Sequence, residues 1–216
     1  TTAAAGKGGN VVLLVGAGTE RDGIHGASGL ASRILDEEQE LRPTVQVGNP
    51  FLEKVLIEAC LEALDTGGVL AIQDLGAAGL TSAAIESAFR AGRGVLLDIS
   101  CVHRREEEMT GYEVMLSESQ ERMILVVPPG GQRPIEEVFE KWDVPCHVIG
   151  EVLGQADVLV FDGPQQIANV PIGHLAAAPR YRLKGKPDPE YKERQKLPLS
   201  RIPLPLDGPA ETLLRL

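Results

Sequence analysis

The apolar residues of this chain fall in short β-branched or leucine-rich bursts, each closed by glycine or by a turn, with helix-periodic stretches between them. Residues 11–15 stop at Gly16, residues 69–72 run into Gln73 and Asp74, and residues 95–99 and 123–127 follow the same pattern. Such unbroken runs suit strands covered on both faces, because a half-exposed strand would alternate apolar with polar. After Pro50, which suits a first helical turn, Phe51, Val55, Leu56, Ala59 and Ala63 recur at three and four. That spacing predicts an amphipathic helix over 50–64, ended by Gly67 and Gly68. Thr81 or Ser82 is expected to cap a second helix that stops at Gly92. Thr110, with Glu113 three residues on, forms a capping box that opens a short helix to Leu116. Further helices are expected over 29–35 and 135–141, and a further strand over 44–47. Residues 144–151 and 157–162 are expected to close the sheet as a strand pair. Strands alternating with helices predict an α/β fold with helices packed on a mixed sheet.

The character changes after Pro179. Pro187, Pro189, Pro198, Pro203, Pro205 and Pro209 are expected to interrupt every helix there, and Lys and Arg crowd between them. The expected organisation is therefore one α/β domain over 1–178 and an extended linker over 179–216. The last residues, 211–216, read as the start of a helix. The chain does not begin with Met, which is expected of a piece of something longer.

Charge and composition narrow the function classes. Across 216 residues, 31 acidic side chains against 21 basic ones give a net charge of −10. That balance argues against a broad footprint for nucleic acid or an anionic membrane. Aromatics make up 4%, too few for base-stacking platforms. The longest apolar runs are strand-length, and no signal peptide is expected, because residues 1–5 carry neither a basic nor an apolar region. Cys60, Cys101 and Cys146 are widely spaced and odd in number, as expected of free thiols in a reducing cytoplasm. An anionic ligand must then be held locally, by backbone N–H groups, a few cations or a bridging metal.

Three stretches can carry such chemistry. The glycine-rich loop over 16–28 lacks the third glycine of a dinucleotide fingerprint, because Arg21 stands there. Residues 73–80, QDLGAAGL, lie between a strand end and a helix start, where ligands collect in α/β sheets. Gly and Ala let a phosphate approach the backbone, and Asp74 beside it suits a hard divalent ion; the alternative is a capping carboxylate. Residues 117–123, SESQERM, place an acceptor, a hydroxyl and an amide in a row before a buried strand, either to hydrogen-bond a ligand or as a solvated turn. His25, His103, His147 and His174 have no metal spacing and read as structural.

Taken together, DGIHGAS at 22–28, RPTVQVGNPF at 42–51, IQDLGAAGL at 72–80, MTGYE at 109–113 and LSESQERM at 116–123 resemble the phosphoribosylformylglycinamidine synthase family. The resemblance is to the second domain of the first two-domain unit of the bacterial large subunit. It implies a fold like the C-terminal domain of aminoimidazole ribonucleotide synthetase. It implies an ATP-dependent carbon–nitrogen ligase of purine biosynthesis, a cytoplasmic amidotransferase that converts formylglycinamide ribonucleotide with ATP and glutamine-derived ammonia. Residue by residue, the resemblance makes Gln46, Glu118, Ser119 and Gln120 substrate contacts and Asp74 a magnesium ligand, with no catalytic residue in this stretch. It implies the remaining synthetase domains, a glutaminase subunit and a small accessory subunit as partners, and an isolated chain that is inactive. The alternatives are a non-catalytic nucleotide-binding or assembly domain of the same enzyme, or another member of the aminoimidazole ribonucleotide synthetase superfamily. Asn49, Glu20 and Gly111 depart from the family pattern next to these positions.

Overall fold

The computed structural model describes residues 3–24, 46–176, 182, 184–186, 188–201 and 208–215. The chain separates into two compact units, Thr1–Ala178 and Pro179–Leu216. The first contains β1 (Val11–Gly16), α1 (Pro50–Asp65), β2 (Ala71–Asp74), α2 (Gly79–Arg90), β3 (Gly94–Asp98), a 3-10 turn at Ile99–Cys101 and α3 (Gly111–Leu116). It continues with β4 (Arg122–Val127), α4 (Gln132–Lys141), β5 (Cys146–Leu153), β6 (Asp157–Asp162), β7 (Gln165–Pro171) and α5 (Ile172–Ala176). The helix and strand expected over 29–35 and 44–47 lie wholly or largely outside the described residues; Gln46 and Val47 have no regular structure.

Among the described residues the strands form one seven-stranded sheet in the order β2-β4-β1-β5-β3-β6-β7. All neighbours run antiparallel except β3 and β6. The sheet is thus mixed, with helices on it. The expected closing pair is corrected: β5 lies between β1 and β3, and β6 pairs with β3 and with β7. The short connection over 154–156 does not make a hairpin because the edge of β5 is already taken by β3, and β7, with Gln165, Gln166 and Asn169, lacks an apolar run that would betray it.

Alternate residues of β1 and β4 point to opposite faces, and both faces are covered. On one, Leu13, Val15, Leu125 and Val127 meet Leu56, Ala59, Cys60 and Ala63 of α1 and Ile135, Val138 and Phe139 of α4. On the other, Val12, Leu14, Ile124 and Val126 meet Leu80, Ala83, Ala84 and Ala88 of α2, Val114 of α3 and Ile172 of α5. Each large side chain buried this way contributes about 1.5–3 kcal/mol before the entropy of ordering it. Burial also pushes the Cys60 thiol up to about 11. Trp142, just past α4, packs against the first face and donates its indole N–H to Glu62 Oε2 of α1 at 2.8 Å.

The register fixes which loops meet. Gly16 pairs with Arg122, Asp74 with Met123, and Val15 with Cys146. The ends of β1 and β2 and the starts of β4 and β5 therefore lie at one end of the sheet, and the loops that follow or precede them share that end.

The second unit contains α6 (Pro189–Gln195), a 3-10 turn at Leu199–Arg201 and α7 (Pro209–Leu214). The expectation that proline interrupts every helix here is corrected. Pro189 and Pro209 each open a helix, where the missing N–H costs nothing, and Asp188 caps the first by accepting from Glu190 N at 2.9 Å.

Candidate functional site

At the shared end of the sheet, the turn from Ser117 to Glu121 joins α3 to β4. The capping box at Thr110 forms as expected: Thr110 N donates to Glu113 Oε2 at 2.8 Å and Glu113 N to Thr110 Oγ1 at 3.3 Å. The other oxygen of Glu113 accepts Arg21 Nε at 2.8 Å, and Arg21 also reaches Glu106 at 2.6 Å. This guanidinium holds the Glu113 carboxyl below the usual carboxylate range. It ties the loop after β1 to the start of α3.

The turn itself is buried and polar. Ser117, Glu118, Ser119 and Arg122 are each less than a tenth exposed. Glu118 Oε2 accepts from the Gln46 amide at 2.7 Å and Oε1 from Ala78 N at 2.9 Å, while Glu118 N donates to Asp22 O at 2.8 Å. The Ser119 hydroxyl donates to Asp22 Oδ2 at 2.5 Å and accepts from Glu20 N at 2.9 Å. The Gln120 amide donates to Glu118 O at 3.1 Å. The structure thus brings Gln46 and Glu118 together in direct contact. It turns Ser119 away from them, into the loop of Glu20 and Asp22. Consecutive side chains fan out even in this turn, and the Ser119 hydroxyl is already committed as donor and acceptor.

Two glycines make the turn's close quarters feasible. A Cβ on Gly79 would stand 1.9 Å from Ser117 O, at a φ of +51°, and one on Gly16 would stand 2.0 Å from Glu121 O, at +106°. Only glycine takes these positions without strain. The helix cap expected at Thr81 or Ser82 is corrected for the same reason. α2 begins at Gly79 behind Ala78, which has a φ of 62° and no side-chain cap. The N–H of Ala78 itself donates to Glu118 Oε1.

Asp74 ends β2 in the open. Its Oδ1 accepts from the Gln73 amide at 2.5 Å; among the described residues its other oxygen takes no hydrogen bond, and Gly76 leaves room beside it. Asp74, Leu75, Gly76, Gln120, Glu121 and Arg122 line a cavity of about 300 Å³, together with residues of α1 that include Glu53, Leu56 and Cys60. Asp74 and Gln120 therefore share one pocket. No group of three His, Cys, Asp or Glu suited to a metal ion occurs among the described residues. A cation at Asp74 would take its remaining ligands from water and a bound phosphate, the usual habit of Mg²⁺, and the residues present fit that ion.

The departing residues have local partners. Asn49 caps α1 by accepting from Leu52 N at 3.1 Å, and its own N–H donates to Glu121 Oε1 at 2.9 Å. Glu20 pairs with Arg105 at 2.8 Å. His103 and His147 stack with centroids 5.7 Å apart, and burial, with His103 beside it, holds His147 below its ordinary pKa. His25 lies outside the described residues. Sequence reasoning missed Thr19, Asp22 and Ala78 as parts of the site. Ala78 acts through its backbone, and Thr19 and Asp22 sit in a loop whose fold no local pattern dictates. Arg122 falls in the polar stretch 117–123 read as a candidate, but β4 begins with it rather than at Met123.

The family model for AIR synthase related protein, C-terminal domain, matches residues 7–162. The chain is 50% identical over 196 residues to the phosphoribosylformylglycinamidine synthase subunit PurL of Thermomicrobium roseum, covering 90% of this chain and 26% of that protein. It superposes on T. maritima PurL complexed with FGAR with a TM-score of 0.80 and 35% identity, covering 87% of this chain and 31% of that one. T. maritima PurL complexed with ATP gives a TM-score of 0.74 and 33% identity, with 87% and 29% covered. The chain thus spans about a quarter of the length of the curated relatives it matches. The mixed sheet, its two helical layers and the family match over most of the first unit agree, and the chain belongs to the AIR synthase related protein, C-terminal domain family.

Proposed function

We propose that this chain supplies ribonucleotide- and magnesium-binding parts of an ATP-dependent phosphoribosylformylglycinamidine synthase. The observation that carries this reading is the buried Glu118 carboxylate, joined to Gln46 and the Ala78 N–H at the end of the sheet, in a chain similar to a PurL solved with FGAR. Glu118, Gln46 and Gln120 offer acceptors and amides to a sugar or formamide ligand. Ser119 serves the same site from behind, through Asp22 and Glu20. Asp74, at the open strand end, holds Mg²⁺, which neutralises phosphate charge when bound.

The chemistry asked of the whole enzyme is transfer of phosphate from ATP to the formamide oxygen, then displacement of that phosphate by ammonia. This chain's residues contribute orientation: the amide must lie in line with ATP, and preset hydrogen-bonding groups fix it there. ATP, the glutaminase and accessory subunits, and a cytoplasmic setting belong to the same proposal. The unit over 179–216, whose described residues include two short helices, serves as a connector.

The test is the ammonia-dependent reaction of the full-length protein. Glu118→Ala and Gln120→Ala raise the KM for formylglycinamide ribonucleotide roughly tenfold or more, as expected for one lost buried polar contact, and change that for ATP much less. The 216-residue chain alone gives no turnover. Equal effects on both substrates, or none on either, sink the reading.

A further inference from the structure

Arg122 is 3% exposed and opens β4 with a charge where the neighbouring strand residues are apolar. Its guanidinium donates through Nε to Ser119 O at 2.9 Å, through Nη1 to Thr19 Oγ1 at 2.9 Å, and through Nη2 to Ser117 O at 2.7 Å. Among the described residues it forms no ion pair. Asp22 attracts it without direct contact, linked to Nη2 through the hydroxyls of Ser117 and Ser119. Burial pulls the guanidinium down to about 10, with Asp22 opposing the fall and Arg105 adding to it.

A buried cation satisfied by carbonyls and a hydroxyl is a poor way to gain stability, because desolvation outweighs what neutral acceptors return. What the arrangement delivers is geometry. The peptide before Glu118 is fixed at both ends, its carbonyl by Arg122 and its N–H by Asp22 O at 2.8 Å. The carbonyl of the following residue, Ser119, is held by the same guanidinium. Thr19 anchors the third arm in the loop that carries Glu20 and Asp22. One planar group thus sets the backbone on either side of Glu118, and so the direction of its carboxylate.

We propose that Arg122 is a positioning residue for ribonucleotide binding, acting through Glu118 and never touching the ligand. This rests on the reading of Glu118 as a ribonucleotide contact. Lysine keeps the charge but not the function. Its donors leave one tetrahedral nitrogen, and they cannot serve three acceptors spread around a guanidinium plane.

The experiment compares Arg122→Lys, Thr19→Val and Glu118→Gln in the full-length protein, with ammonium as nitrogen donor. KM for each substrate, kcat and the thermal midpoint are measured. Arg122→Lys raises the ribonucleotide KM roughly tenfold, Thr19→Val about threefold, and both leave the ATP constant within about twofold. If Arg122→Lys does not fold, Thr19→Val, which removes one acceptor only, decides. Variants that lose thermal stability yet keep the ribonucleotide constant within about twofold, or that move both constants equally, overturn the proposal. If Glu118→Gln alone raises the constant, positioning by Arg122 fails and the ribonucleotide site stands. If Glu118→Gln also leaves it unchanged, the ribonucleotide site itself fails.

Discussion

The turn over 117–122 and the end of β2 at Asp74 face the same end of the sheet and are built on opposite plans. In the turn, the carboxylate of Glu118, the Ser119 hydroxyl and the Arg122 guanidinium all have partners within the protein. At Asp74, among the described residues, the carboxylate meets one neighbouring amide and is otherwise open. Under the proposed function, the contrast teaches how a site can divide its labour. A group that must recognise shape is fixed before the ligand arrives, so little ordering entropy is lost on binding. A group that must take a hydrated ion stays accessible, because the ion brings most of its own ligands.

Substitutions that strike the packed side of this comparison cost the most. Gly79→Ala forces a Cβ onto Ser117 O at a positive φ and is expected to cost about 3 kcal/mol in denaturant unfolding. A cost below about 1 kcal/mol means that the turn yields, and the contrast with Asp74 weakens. Ser119→Ala leaves Asp22 Oδ2 and Glu20 N without their shared partner and is expected to cost about 2 kcal/mol by the same measurement. An unchanged midpoint there places the hydroxyl's role with the ligand rather than with the fold.

Asp74→Asn belongs to the open side. It is expected to change stability by no more than about 0.5 kcal/mol, while abolishing the rise in thermal midpoint that Mg²⁺ with a nucleotide gives the full-length protein. A variant that melts early but still responds to Mg²⁺ assigns Asp74 to the fold. The smallest effect concerns acid. The Arg21 bond, aided by Thr110, holds the folded-state pKa of Glu113 below its unfolded value. Its contribution is complete above the unfolded pKa of about 4.3 and is lost as pH falls through the folded one. Glu113→Gln, which keeps the capping geometry, should therefore flatten the decline of thermal midpoint between about pH 5 and pH 3. Identical declines in both proteins exclude this bond as a source of acid sensitivity.

Most of the first unit's framework was legible because its elements carry their own signals. The helix after Pro50 shows its apolar stripe, the Thr110–Glu113 box shows its cap, and the runs ending at Gly16 and Val127 show buried strands. Pairing partners were not legible. The parallel contact of β3 with β6 and the insertion of β5 between β1 and β3 depend on contacts distant in sequence, which no local period encodes. The candidate site divides along the same line. Glu118 and Asp74 stand out as acidic side chains beside apolar strands. The partnership of Arg122 with Thr19 joins residues 103 positions apart. The start of α2 misled because its turn is closed by glycine and by a carboxylate from another segment, so the nearby hydroxyls of Thr81 and Ser82 were not needed.

Trp142 is the chain's single tryptophan. It leans on the layer of α1 and α4 and bonds across to Glu62. Its ultraviolet emission therefore reports first on the packing of α1 against α4. An unfolding curve recorded with that emission will report the undocking of α4 from α1.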